Sequence, residues 1–168
     1  MTSLILQRTK EVAPEVPPEE STLFIVGHGT GLNKNSTKAI RDQVELIKTL
    51  PENRFADVHD TYMEEPPFIA DWDKMASTPN VVVVPFFIAD GLHSYQDIPV
   101  MLGFEKDEGE AASQKEVFRN NPYHLRGKTL YYSAAIGTEP LMADVILCLL
   151  YTSPSPRDLS TSRMPSSA

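Results

Sequence analysis

The stretch NVVVVPFFIAD, residues 80–90, decides the reading of this chain. Four consecutive valines are followed by Phe86, Phe87 and Ile88, with no polar residue between them. A strand with one wet face alternates; a strand buried on both faces does not, and such strands belong to parallel sheets covered by helices. Pro85 has no amide hydrogen to donate, so a bulge or an end to regular pairing is expected there.

Working outward, the same logic makes STLFIVG (21–27) a buried strand that ends in glycine. Residues 36–50 place Ile40, Val44, Ile47 and Leu50 at helical spacing, and Pro51 closes them. FADVHDTYM (55–63) reads as a second strand and PFIADWDKMA (67–76) as a short helix. IPVMLGF (98–104) has room for a helical turn or two, and KTLYYSAAIG (128–137) reads as a fourth strand. EPLMADVILCLL (139–150) is an apolar helix with Pro140 in its first turn, where proline is favoured. Strand and helix alternate, which predicts an α/β fold: an open, mostly parallel four-stranded sheet flanked by helices. Residues 103–127 are longer and more acidic than such a unit needs, and read as a lid or an insertion.

The two ends read differently. Residues 1–20 are expected to form a Pro/Glu-rich linker, because the prolines and mutually repelling glutamates of KEVAPEVPPEES favour an extended chain. Residues 2–8 are given no role. Eleven of the last 18 residues, 151–168, are Ser, Thr or Pro, too few apolar groups to offset the entropy of ordering. That tail is expected to be disordered. It also resembles a translated sequencing-adaptor read, which implies a non-native end beyond Cys148–Leu150. The domain proper is therefore expected at 21–150.

Composition narrows the function. The formal net charge is −8, which argues against a broad basic surface for nucleic acid. No apolar run reaches the roughly 18–20 residues of a membrane span. The start, MTSLILQRTK, lacks the apolar stretch and charge order of a signal peptide. One cysteine, Cys148, forms no internal disulfide and fits a reducing cytoplasm.

In an open parallel sheet, ligands bind beyond the carboxyl ends of the strands. His28, in Gly27-His28-Gly29-Thr30-Gly31, follows the first strand, and Glu64-Glu65 follow the second. Leu92-His93-Ser94-Tyr95 and Asp97 follow the third. Two imidazoles and a carboxylate suit a first-row divalent ion, and imidazole also accepts protons near neutral pH. The flanking glycines let a flat ligand approach the backbone. GHGTG lacks the spacing of a dinucleotide fingerprint or a P-loop, so no nucleotide is expected. Asp97 before Ile98-Pro99 reads as a helix cap as much as a ligand. His59, inside a strand pattern, reads as structural, and His124 as an exposed loop residue.

FIVGHGT (24–30) and VVVVPFFIADGLHSYQDIP (81–99) resemble the two signature blocks of the sirohydrochlorin chelatases, the class II tetrapyrrole chelatases of cobalamin and siroheme synthesis. Ala135-Ile-Gly-Thr-Glu-Pro-Leu-Met142 is a weaker third match. The resemblance covers about 22–150. It implies a chelatase-like half-module that inserts Co²⁺, Fe²⁺ or Ni²⁺, as substrate, into a metal-free tetrapyrrole. It further implies that His28 and His93 bind the ion and accept pyrrole protons, with Glu64 as third ligand and Glu65 as its rival. Gly29, Thr30, Leu92 and Tyr95 are expected at the substrate, with Phe87 and Met63 as further apolar wall. A complete enzyme of this kind has two modules, so the chain is expected to be a homodimer or half of a longer protein. The carboxylate-rich substrate sits oddly with residues 1–150, which carry 13 basic and 22 acidic side chains. Lys34, Lys38, Arg41 and helix N-termini are the candidate anchors. Two other classes compete: a histidine phosphatase-like phosphoesterase, which needs an arginine where Gly27 stands, and a non-catalytic metal- or tetrapyrrole-binding module.

Overall fold

The computed structural model describes residues 1–30, 34–51, 54–105 and 116–152. The expected parallel sheet is present, with β1 (Ser21–Gly27), β2 (Asp57–Tyr62), β3 (Asn80–Pro85) and β5 (Lys128–Tyr132) as its four parallel strands. A fifth strand, β4 (Tyr123–Leu125), pairs antiparallel with β5, and the order is β2-β1-β3-β5-β4. The four-strand expectation is corrected by this edge hairpin. Its three residues, in a polar region, give too short a pattern to read as a strand, and Phe104 stacked on Tyr123 at 3.9 Å holds them.

Periodicity of two sorts the strands into two cores. Leu23, Ile25, Val82 and Val84 face one side, where Ile40, Val44 and Ile47 of α2 (Lys34–Thr49) cover them. Phe24, Val26, Val81 and Val83 face the other, against Ile69, Trp72 of α3 (Trp72–Met75), and Ile98 and Leu102 of α4 (Ile98–Leu102). All four valines are buried, as the unbroken run predicts. Regular pairing stops at Pro85, and the Phe86 amide still donates to the Val26 carbonyl at 2.7 Å.

Three further expectations change. Residues 2–12 are not linker: they form α1 (Thr2–Val12), whose Leu4, Ile5 and Leu6 are buried in the α2-side core. A chain of only 11 residues shows its apolar face weakly, and the sheet surface supplies the partner that makes it helical. Only the proline-rich segment after it runs outside regular helix or strand, apart from one tight turn at Pro18–Glu20. Residues 116–127 are not lid: α5 (Glu116–Arg119) and β4 pack on the second core through buried Val117. Residues 106–115, the rest of the expected lid, and 153–168, the expected disordered and non-native tail, lie outside the described residues. The last helix, α6, spans Met142–Thr152 and so begins later and ends two residues beyond the reading. Among the described residues no helix is long and apolar enough to cross a membrane.

Candidate metal and macrocycle site

The chain passes from β1 to β2 on one side and returns to β3 on the other side of β1. Connections leaving β1 and β3 therefore diverge, opening a crevice at their carboxyl ends, the switch point where open α/β sheets bind ligands. His28 directly follows β1, and His93 opens a π-type turn (His93–Asp97) beyond β3. Their rings meet edge to face with centroids 4.9 Å apart. Sixty-five residues of sequence separation close into one contact.

Each histidine is placed by different means. The His28 carbonyl accepts hydrogen bonds from the Met63 and Glu64 amides at 3.2 and 3.1 Å, which stitches the loop after β2 to the loop after β1. Glu64 Oε1 consequently lies 3.5 Å from His28 Nε2. Gly29 follows with φ +77, and a side chain there would meet Tyr62. Tyr62 is fully buried beneath it; burial first, then its hydrogen bond to Asp60, raises its phenol well above the ordinary range. His28 Nδ1 is buried and has no hydrogen-bond partner among the described residues. His93 instead is held by its own turn: Nδ1 lies 2.6 Å from Asp97 Oδ2. A carboxylate at Nδ1 favours the tautomer that leaves the Nε2 lone pair free. Phe87 flanks the ring at 5.8 Å.

Beside His28 lies a cleft of about 520 Å³ lined by Gly27, His28, Gly29, Thr37, Phe87 and Ile88, among others. Ile88, which lines this cleft, is 82% exposed, and Leu92, next to His93 in the chain, is 62% exposed. Among the described residues no three of His, Cys, Asp or Glu form a group that could enclose an ion. What the structure brings together is a histidine pair with one carboxylate on its His28 side.

Several expectations sort out at this resolution of detail. Glu65 accepts the Thr37 hydroxyl at 2.8 Å and is committed to α2, so Glu64 is the carboxylate beside His28. Thr30 is half-buried after Gly29. Leu92 is exposed beside His93 in the chain, and Tyr95 packs edge-on against Phe118 at 5.5 Å; neither lines the cleft. Met63 is buried in the second core and is packing, not cleft wall. Lys38 and Arg41 are paired with Asp42 at 2.6 Å and Asp60 at 3.2 Å. The side chain of Lys34 lies outside the described set. His59 stacks on Phe24 at 5.2 Å beside Asp57, a structural role, and His124 is exposed as expected, on β4. Asp97 caps no helix amide with its side chain. The i, i+4 spacing of His93 and Asp97 was the signal that pairs them.

Residues 22–151 match the family model named CbiX. This chain belongs to the CbiX family. The CbiX module is 36% identical over 148 residues to a probable sirohydrochlorin cobaltochelatase of Halobacterium salinarum, covering 88% of this chain and 48% of that protein. It is 26% identical to a sirohydrochlorin cobaltochelatase of Methanopyrus kandleri, over 74% of this chain and 91% of that one. It thus spans about half of one curated relative and nearly all of another. The fold is shared with the Bacillus subtilis sirohydrochlorin chelatase SirB, solved in complex with cobalt (TM-score 0.58, 17% identity, 83% of this chain and 58% of SirB). It is also shared with a multi-domain, chelatase-like protein of Deinococcus radiodurans (TM-score 0.66, 17% identity, 94% of this chain and 30% of that one).

Proposed function

We propose that this CbiX module inserts a divalent ion, Co²⁺ or Fe²⁺, into sirohydrochlorin, in the cytoplasm and without a nucleotide. The observation that carries the proposal is the His28–His93 pair, 4.9 Å apart at the switch point. Insertion replaces two pyrrole N–H protons with the metal: two protons leave the macrocycle for every ion that enters. His93, with Nδ1 tied to Asp97, offers Nε2 either to the ion or to a leaving proton. His28, with Glu64 beside it, takes the other part, and the carboxylate balances the positive charge that arrives with the metal. An ion held by few protein ligands keeps positions open for the macrocycle nitrogens, which is what delivery requires. Ni²⁺ fits the same ligands and would bind more tightly than cobalt or iron.

Gly29, Thr30 and Leu92 are proposed to meet the macrocycle, with Phe87 and Ile88 as apolar surface. The exposed Ile88 in the cleft wall supports completion of the site by a second module, supplied either by a second copy or by a further half of a longer chain. Relatives of about the same and about twice the covered length accommodate both arrangements. The test is titration of the purified protein with Co²⁺ and sirohydrochlorin while the absorption spectrum is followed. Accelerated appearance of the metallated spectrum supports insertion. Tight binding of both without acceleration would leave a carrier module and reject the enzyme.

A further inference from the structure

α1 lies outside the 22–151 match to the family, yet through Arg8 it reaches the turn Ile136–Thr138, which in turn touches the loop that carries His93. Arg8 is only 9% exposed. Its Nε donates to the Ala135 carbonyl at 3.2 Å, its Nη2 to the Thr138 hydroxyl at 2.8 Å, and its Nη1 to Glu11 at 2.7 Å. A buried guanidinium is costly unless its donors are matched, and Leu4 and Ile5 already supply the apolar grip of α1 on the core. Packing alone gives no reason for an arginine here.

The contacts continue from the turn Ile136–Thr138 into the loop after β3. Thr138 receives the Arg8 bond on its oxygen and has one proton of its own to give. Asp90 Oδ2 and the Ala135 carbonyl both lie at 2.9 Å, and the carboxylate is the stronger acceptor. Asp90 Oδ1 accepts the Ala135 amide at 2.7 Å, so its carboxylate clasps both ends of the turn. The Gly137 amide donates to the Phe87 carbonyl at 2.9 Å, and a side chain at 137 would collide with the Ile88 carbonyl. Phe87 flanks the His93 ring, and His93 follows Asp90 by three residues.

We infer that Arg8 is a positioning residue: through Thr138 and Asp90 it fastens the 86–92 loop and so sets where His93 stands relative to His28. This rests on the metal-insertion reading of the histidine pair. The reach is 130 residues of sequence from Arg8 to Thr138, carried by one hydrogen bond.

The test compares the full-length protein with Arg8→Met and Thr138→Val. Three quantities are measured: Co²⁺ affinity by calorimetry, kcat and KM for sirohydrochlorin, and amide hydrogen exchange over 86–93. Each substitution is expected to weaken Co²⁺ binding and kcat by roughly tenfold, in the range seen when groups supporting a ligand are removed. KM should stay within about twofold and loop exchange should quicken, while the double variant should lose less than the two single losses combined. Arg8→Lys, which keeps the charge and one donor, should recover part of the loss. Wild-type affinity, kcat and loop exchange in variants that melt cooperatively would overturn the inference. Should Arg8→Met fail to fold, Thr138→Val decides alone, since it leaves Arg8 bonded to Ala135 and Glu11. If the wild type takes up no metal into sirohydrochlorin, the chelatase reading fails, and loop exchange, which needs no ligand, still judges Arg8.

Discussion

His28 and His93 are the same residue type in one contact, but only the His93 ring is also held by a side chain of its own loop. The His28 loop is fixed through its backbone: two amides from the β2 loop on its carbonyl, and a glycine with positive φ packed over Tyr62. The His93 loop has backbone ties as well, such as the Gly137 amide on the Phe87 carbonyl, but adds side chains: Asp97 on the imidazole and Asp90 on the Ile136–Thr138 turn. A backbone-fixed loop sets where a ring stands and leaves its nitrogens to the ligand. A side-chain-fixed ring also has its tautomer set, which makes it the better defined lone-pair donor.

The largest expected effect breaks the pair outright. His93→Ala should lower the insertion rate by roughly 10²–10⁴-fold, as loss of a positioned acid–base group does. The initial rate of cobalt insertion checks it, and near-full activity would remove His93 from the site. Next, Asp97→Asn should cost roughly 10–100-fold in Co²⁺ affinity or rate, because the imidazole loses its charged partner. Calorimetry with Co²⁺ reads it; an unchanged affinity would mean that orientation of His93 does not depend on Asp97. On the backbone-held side, Gly29→Ala should show mainly as instability of about 1–3 kcal/mol, since both φ and Tyr62 oppose a side chain. Urea denaturation measures it. The smallest effects separate the two glutamates. Glu65→Gln should lower stability by about 1 kcal/mol through the weakened Thr37 bond and leave Co²⁺ affinity alone. Glu64→Gln should do the reverse, weakening Co²⁺ binding a few-fold with no change in melting. The opposite assignment would make Glu65 the ligand.

Much of this arrangement was legible before any coordinates. The unbroken valines of β3 announce burial on both faces, and the order of elements announces parallel strands. The rule that ligands gather at carboxyl ends then selects His28 and His93 over His59 and His124. What stayed hidden has a common cause. α1 has the sequence of an unremarkable short segment, and its helix exists because a sheet face stands ready to bury Leu4, Ile5 and Leu6. β4 is three residues long and exists because β5 offers it a ladder. Met63 and Tyr95 are apolar residues near the site in sequence, but their side chains turn toward Ile69 and Phe118 neighbourhoods instead of the cleft.

The sequence by itself determined the class of fold and put two histidines just beyond strand ends, because hydrophobic periodicity and strand-end position are local properties of the chain. Tertiary structure alone decided that the rings stand 4.9 Å apart, that Glu64 and not Glu65 faces His28, and that Arg8 reaches Thr138. These depend on which loops the sheet order places side by side. A hydrogen bond between residues far apart in the chain leaves no periodic trace in either segment.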